Sequence, residues 1–459
     1  MRYHSTRGQA PVLDFEGAML AGLARDGGLY LPQAVPQMTR DDIAALQGLP
    51  YEEAALRVMR PFTDLPETRL AEMIAAAYAG FGHAARAPLV QIAPDGWLLE
   101  LFHGPTLAFK DFAMQLIGQL FQDVMRRRGE RITIVGATSG DTGSAAIEAF
   151  RGLEGVECFI LYPHGRVSEV QRRQMTTPSE GNVHALAVDG DFDDCQAAVK
   201  AMFNDHAFRD RVGLTAVNSI NWARVLAQVV YYFTAAAALG APGRAIGFTV
   251  PTGNFGDILA GDVARRMGLP IDRLVVATNR NDILHRTLTT GAHRKEGVVP
   301  TASPSMDIEV SSNFERALFM AYDGDASAIA QLMDELARDG GFTVSQGALQ
   351  ALRETFASGR ASEEETAETI RRVFADTGEV LCPHTAVGVK VASEQPHRGP
   401  MVTLATAHPA KFPDAVEAAT GLRPALPERM ADLYLRSERV TEVANDVGAL
   451  KSLILERLP

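Results

Sequence analysis

With 459 residues, of which 46% are hydrophobic and 22% charged, the chain is long enough to bury a large core in two or three lobes. A net charge of −12 excludes a general nucleic-acid or membrane-surface binder, although local sites can still take anions. Cys158, Cys195 and Cys382 are too few and too scattered for a disulfide framework or a thiolate metal cluster, which points to a reducing compartment.

Residues 1–95 read as a helix-rich N-terminal domain, in which Asp26-Gly27-Gly28-Leu29-Tyr30-Leu31-Pro32 is a turn feeding a short extended piece. Met1-Arg2-Tyr3-His4 does not lead into a signal-peptide core and no apolar run reaches spanning length, so the expected location is cytoplasmic, with no membrane partner. Residues 96–322 read as an α/β core that includes a smaller lobe. Its short apolar strands alternate with helices, which implies largely parallel sheets covered on both faces.

Lys110 opens the chemistry of this core. It stands in His103-Gly104-Pro105-Thr106-Leu107-Ala108-Phe109-Lys110-Asp111-Phe112, just inside the expected start of a helix. Phe109, Phe112, Ala113, Leu116, Ile117, Leu120, Phe121 and Val124 recur at helical spacing and form one apolar face. Thr106 is placed to cap this helix, and Arg126, Arg127, Arg128 and Gly129 suit its end. An amine carried into that setting loses hydration in its charged form, so its pKa falls and it becomes a nucleophile for a Schiff base. Taken alone, a lysine that snorkels to water is the commoner case.

Two loops change that balance. Arg131–Ala137 reads as a buried strand, followed by Thr138-Ser139-Gly140-Asp141-Thr142-Gly143 and a small-residue helix from about Ser144. Further strands are expected at 158–162, 184–188, 214–217, 245–250 and 274–277. Pro251-Thr252-Gly253-Asn254-Phe255-Gly256-Asp257 is a second loop between strand and helix. Each leaves backbone N–H groups free for an anion, the first for a carboxylate and the second for a phosphate. A reactive lysine with two anion cradles fits a covalent, phosphate-bearing cofactor, and pyridoxal 5'-phosphate meets that description.

Residues 323–380 are charged and rich in Glu, Ala and Arg. They read as a helical insertion broken at Gly340-Gly341 and Ser358-Gly359. Residues 381–459 return to the core, with a strand at Met401–Ala405. Asp307 and Glu309 lack the further carboxylates or histidines of a metal site, so no metal is expected. His103 reads as a loop histidine that orients backbone, His408 and Lys411 as structural or phosphate-proximal, and Trp222, Tyr231 and Tyr232 as packing. Asp191, Asp193 and Asp194 read as a solvated helix start.

Eight segments, in order from residue 3 to about 413, carry a family resemblance. They are Tyr3–Gly8, Asp26–Tyr30, His103–Asp111, Gly136–Gly143, Asn218–Trp222, Pro251–Gly256, Asp307–Arg316 and Ala405–Phe412. The chain resembles the long-form threonine synthases, within the fold-type II, tryptophan-synthase-like group of pyridoxal-phosphate enzymes. That resemblance implies an α/β fold with two parallel-sheet lobes, an added N-terminal segment and a helical insertion. It also implies conversion of the small molecule O-phospho-L-homoserine, with water, to L-threonine and phosphate, by γ-elimination and β-addition.

By match to the family motifs, Lys110 is the catalytic, cofactor-binding lysine. Gly253, Asn254, Phe255, Gly256 and Asp257 form the loop at the cofactor phosphate, and Thr406 meets the pyridine nitrogen. Asp141 lies at the cofactor edge, where related fold-type II enzymes often carry Asn. Thr138, Ser139 and Thr142 surround the substrate carboxylate, and Arg166, Ser168, Asn218 and Asn221 lie in segments like the substrate-phosphate site. The resemblance implies a monomer or weak dimer. Rival readings are a serine or threonine dehydratase, an O-phospho-amino-acid phospholyase and a non-catalytic binding module.

Overall fold

The computed structural model describes residues 1–458. Antiparallel strands β1 (Tyr3–Ser5) and β2 (Tyr30–Pro32) open the chain, with helices Tyr51–Met59 and Glu67–Tyr78 after them. Next come β3 (Leu89–Gln91) and β4 (Gly96–Glu100), then the helix Lys110–Arg128. A run of β5 (Ile132–Ala137), β6 (Val156–Pro163), β7 (Val183–Val188) and β8 (Leu214–Thr215) follows. Helix Trp222–Ala238 leads to β9 (Ile246–Pro251), helix Gly256–Arg266 and β10 (Ile271–Thr278). The remaining strands are β11 (Ala292–Arg294), β12 (Gly341–Thr343), β13 (Phe356–Arg360), β14 (Met401–Ala405) and β15 (Thr441–Val443).

These strands build two main sheets. The larger runs β13-β10-β9-β14-β4-β3, parallel except where β3 meets β4. The smaller runs β15-β7-β6-β5-β8 and is parallel throughout. Parallel neighbours need crossovers that cover both faces, so the strands are apolar without alternation. Every residue of β9 is buried, and β6 is buried at all positions but Glu157. The Lys110 helix buries Phe112, Leu116, Ile117, Leu120, Phe121 and Val124, the stripe expected from spacing.

Three expectations are corrected. Thr106 does not cap the Lys110 helix: Phe109 is the N-cap, and no side chain caps it. Leu107, with φ +64°, turns the chain so that Thr106 faces Asp111 instead. The helix expected from about Ser144 begins at Asp141, because Gly140 (φ +143°) makes the turn earlier. Residues 323–380 are mostly helical, as expected, but Ser358-Gly359 is not a break between helices. Besides helices Ala326–Asp339, Gln346–Thr355 and Glu363–Thr377, they hold β12 and the edge strand β13 of the larger sheet. Ser358-Gly359 lies inside β13, where a Cβ on Gly359 would stand 2.7 Å from Val391 Cγ1. The glycine there permits a close helix approach and is not a break.

Candidate active site

The carboxyl ends of β5, β9 and β14 deliver Thr138, Thr252 and Thr406, and ligands in open parallel sheets bind beyond such ends. Lys110 sits among them at the first position of its helix, 9% exposed, with Nζ 4.9 Å from the Phe109 ring centroid. Burial lowers its pKa; the charges of Arg224 and Lys411 push the same way, and Asp141 opposes them.

Asp141 is the buried anion of the site. Its Oδ2 lies 3.6 Å from Lys110 Nζ, and its Oδ1 accepts from Lys411 Nζ at 2.7 Å and Gln171 Nε2 at 2.9 Å. Burial alone would raise its pKa, but Lys411 and then Lys110 overcome this and hold it well below the usual carboxylate range. Thr138 accepts the N–H groups of Gly140 and Gly143 on its own Oγ1 at 2.9 and 2.8 Å, so its hydroxyl oxygen organises the loop. Ser139 and Thr142 are half-buried and their hydroxyls have no protein partner among the described residues.

The 253–257 loop has the anion-binding form. Phe255 takes φ +63° and ends as an N-cap without a side-chain bond. From Gly253 to Ile258 no backbone N–H finds a protein acceptor among the described residues. Gly253 is held tightly, since a Cβ there would lie 2.6 Å from the Ser305 carbonyl. The Asp307–Arg316 block folds over this loop: Ser311 Oγ donates to Gly253 O at 2.6 Å and Asn313 N–H to Asn254 O at 3.0 Å. Asp257 points away from the loop, into the core, where it meets Tyr231 and Tyr232. Thr406 is buried, and its hydroxyl has no protein partner among the described residues.

The residues grouped by sequence as a phosphate site separate in space. Asn221 is fully buried; its Oδ1 accepts Ala223 N–H at 3.1 Å and its Nδ2 donates to Met19 O at 2.8 Å. It is a helix cap that ties helix Trp222–Ala238 to the N-terminal region, with both ends of its amide engaged within the protein. Ser168 accepts Gln171 N–H as another helix cap, and Arg166 is exposed without contact to the Lys110 cluster. Asn218 is exposed beside Ser219, whose Oγ lies 3.3 Å from Ser312 Oγ.

Two residues of the site, Arg224 and His384, escaped sequence reasoning, and Lys411, read there as structural or phosphate-proximal, meets its partner only in the fold. Arg224 is 4% exposed and, among the described residues, has no carboxylate partner and one protein bond, Nη1 to Val217 O at 3.4 Å. Burial draws its pKa down to about 10. It follows Asn218 by six positions, and only the fold turns it inward. Lys411 is wholly buried against Asp141. His384 accepts the Ser305 N–H on Nε2 at 3.1 Å, so its proton sits on Nδ1, which is buried without a partner among the described residues. Burial holds it neutral, with a pKa drawn down to about 4. His103 pairs with Glu100 at 2.7 Å, and His408 caps a short turn. Asp307 is consumed by Thr301, Asn279 and Asn281.

A family model described as threonine synthase N terminus matches residues 2–78, and one described as pyridoxal-phosphate dependent enzyme matches residues 83–357. A model described as threonine synthase, C-terminal, matches residues 385–454. The threonine synthase of Pseudomonas aeruginosa is 54% identical, across 99% of this chain and 98% of that protein. The crystal structure of PLP-bound threonine synthase from Brucella melitensis superposes with a TM-score of 0.97 at 57% identity, covering 100% of this chain and 99% of that one. Threonine synthase from yeast gives a TM-score of 0.93 at 41% identity, over 99% and 98% of the two chains.

Proposed function

The chain belongs to the threonine synthase family of pyridoxal-phosphate-dependent enzymes, and on that premise we propose that its substrate is O-phospho-L-homoserine, converted with water to L-threonine and phosphate. Threonine synthase activity and the pyridoxal-phosphate cofactor follow from the family. No helix among residues 1–458 is long and apolar enough to cross a membrane.

The buried amine of Lys110, the unsatisfied N–H groups from Gly253 to Ile258 and the free Thr406 hydroxyl fit the aldehyde, phosphate and pyridine nitrogen of that cofactor. When bound, the cofactor withdraws electrons from the substrate carbon skeleton, which makes loss of a proton and of phosphate possible. Lys110 is the residue that would hold the cofactor, and its free amine would be the base that moves protons between carbon atoms. Its depressed pKa supplies the neutral amine that both roles need. Asp141 accepts at the cofactor edge. The free hydroxyls of Ser139 and Thr142 receive the substrate carboxylate.

The observation that carries a phosphate-bearing substrate is Arg224. A guanidinium buried without a carboxylate is costly to keep unless an anion meets it. We assign Arg224, whose Nη1 reaches the Val217 carbonyl next to Asn218 and Ser219, to the substrate phosphate, where it stabilises charge as phosphate leaves. Serine or threonine, the substrates of a dehydratase, would leave that cation unmatched.

The test counts phosphate and L-threonine together from O-phospho-L-homoserine. Equal amounts are expected. Phosphate with 2-oxobutyrate in place of threonine would make the protein a phospholyase. No phosphate would overturn the substrate.

A further inference from the structure

Lys411 arrives on the turn Pro409–Lys411, five residues beyond Thr406, and its side chain has no solvent exposure. Nζ makes two short bonds, to Asp141 Oδ1 and to the Thr106 carbonyl, each 2.7 Å. Thr106 is itself fixed: its N–H and Oγ1 donate to Asp111 at 2.8 and 2.6 Å. The lysine is therefore a strut between the loop that precedes Lys110 and the carboxylate that faces it. With Gln171 Nε2 on the same oxygen, Asp141 Oδ1 is fully engaged, while Oδ2 faces Lys110 Nζ at 3.6 Å and Ser305 Oγ at 3.4 Å.

We propose that Lys411 is a positioning residue for the reaction: it pins one oxygen of Asp141 so that the other faces Lys110, and its charge offsets Asp141 and so sets the proton affinity of the Lys110 nitrogen. This rests on the reading of Lys110 as the cofactor lysine. The physical reason is a balance of charges in a dry site. Asp141 alone would hold a proton on Lys110; a second cation on the far oxygen weakens that hold and repels the proton directly. The same cation keeps Asp141 ionised where burial would neutralise it. The other groups acting on Lys110 are Arg224, Asp257 and the neutral His384, from three further helices. All three are common to the variants below, so differences between variants isolate the Lys411–Asp141 pair.

The test titrates the visible absorption band of the cofactor-loaded protein with pH, for the parent, Lys411→Gln, Asp141→Asn and the double variant. Lys411→Gln keeps a donor and removes the charge, so the midpoint rises by about one pH unit or more. Asp141→Asn lowers it by a similar amount, and the double variant returns to within ~0.5 of the parent, since both charges are gone. Loading of the cofactor-free protein with pyridoxal 5'-phosphate at neutral pH, which needs the neutral amine, slows about tenfold in Lys411→Gln. Single variants that fold, with unmoved midpoints, would overturn the proposal. Should Lys411→Gln not fold, Asp141→Asn carries the test, because an unmoved midpoint there is equally fatal. Lys110→Ala separates the premise: a titrating band that survived in it would sink the assignment of Lys110 and not the strut.

Discussion

The Tyr231 hydroxyl donates to Asp257 Oδ1 at 2.5 Å, while Asp257 Oδ2 is buried with no partner among the described residues. Tyr232 adds a longer bond of 3.1 Å to Oδ1. Burial pushes the Asp257 carboxyl up to about 7, against the pull of both tyrosines and of Lys110. One end of the anion-binding loop is thus anchored by an acid that is largely neutral near and below neutral pH.

A stability profile checks this. The folded pKa is raised, so the stabilisation is complete below the ordinary carboxylate value and is lost as pH rises through about 7. Asp257→Asn removes that proton linkage. The cofactor-free variant should lose less stability than the parent between pH 5 and 8 (an interval chosen to bracket the shift), by roughly 2–4 kcal/mol in chemical denaturation. Parallel profiles for the two proteins would show that Asp257 does not titrate there.

Arg224 offers a trade between stability and activity. A buried cation without a carboxylate is replaced at a gain by an apolar chain of similar length. Arg224→Met should raise the melting temperature of the cofactor-free protein, by about 1–4 kcal/mol in stability. The same change should lower kcat/KM for O-phospho-L-homoserine about 100-fold or more, because a charge-assisted contact to phosphate is lost. A lower melting temperature would mean that the Val217 carbonyl bond matters more than the unpaired charge.

What the sequence made legible was local. Strands β5, β6, β9, β10 and β14 are short apolar runs closed by Gly or hydroxyl residues, so period and punctuation located them within a few residues. Strand β13 was missed because Phe356-Ala-Ser-Gly-Arg360 has little apolar content of its own and is fixed by pairing with β10. Strand β15 likewise exists only through β7, some 250 residues earlier. In the site, Lys110 and the two loops were legible because each is a contiguous motif. Lys411 and Asp141 meet across the fold, and no spacing rule joins positions so far apart. Arg224 sits in a helix buried nearly all round, where nothing local marks the inward face.

Asn221 separates a structural amide from a substrate contact. Its Oδ1 caps helix Trp222–Ala238 and its Nδ2 satisfies the Met19 carbonyl. Asn221→Ala should cost roughly 2–4 kcal/mol, the sum of a lost cap and an unpaired buried carbonyl. KM for O-phospho-L-homoserine should stay near the parent value in the folded fraction. A raised KM with an unchanged melting temperature would return Asn221 to the substrate site.

Gly140 holds the loop around Asp141 in a shape open to glycine alone. Its φ of +143° is strained for any other residue, and a Cβ there would stand 2.3 Å from the Gln171 amide carbon. That amide donates to Asp141, so a methyl group at 140 strikes the support of the site's anion as well as the backbone. Gly140→Ala should destabilise by about 3 kcal/mol or more through both effects. Combining it with Gln171→Ala removes the clash and leaves the backbone strain. The double variant should therefore be less destabilised than the sum of the two singles, by about 1 kcal/mol or more. Strict additivity in thermal unfolding would mean that the backbone angle, and not the Gln171 contact, is what demands glycine.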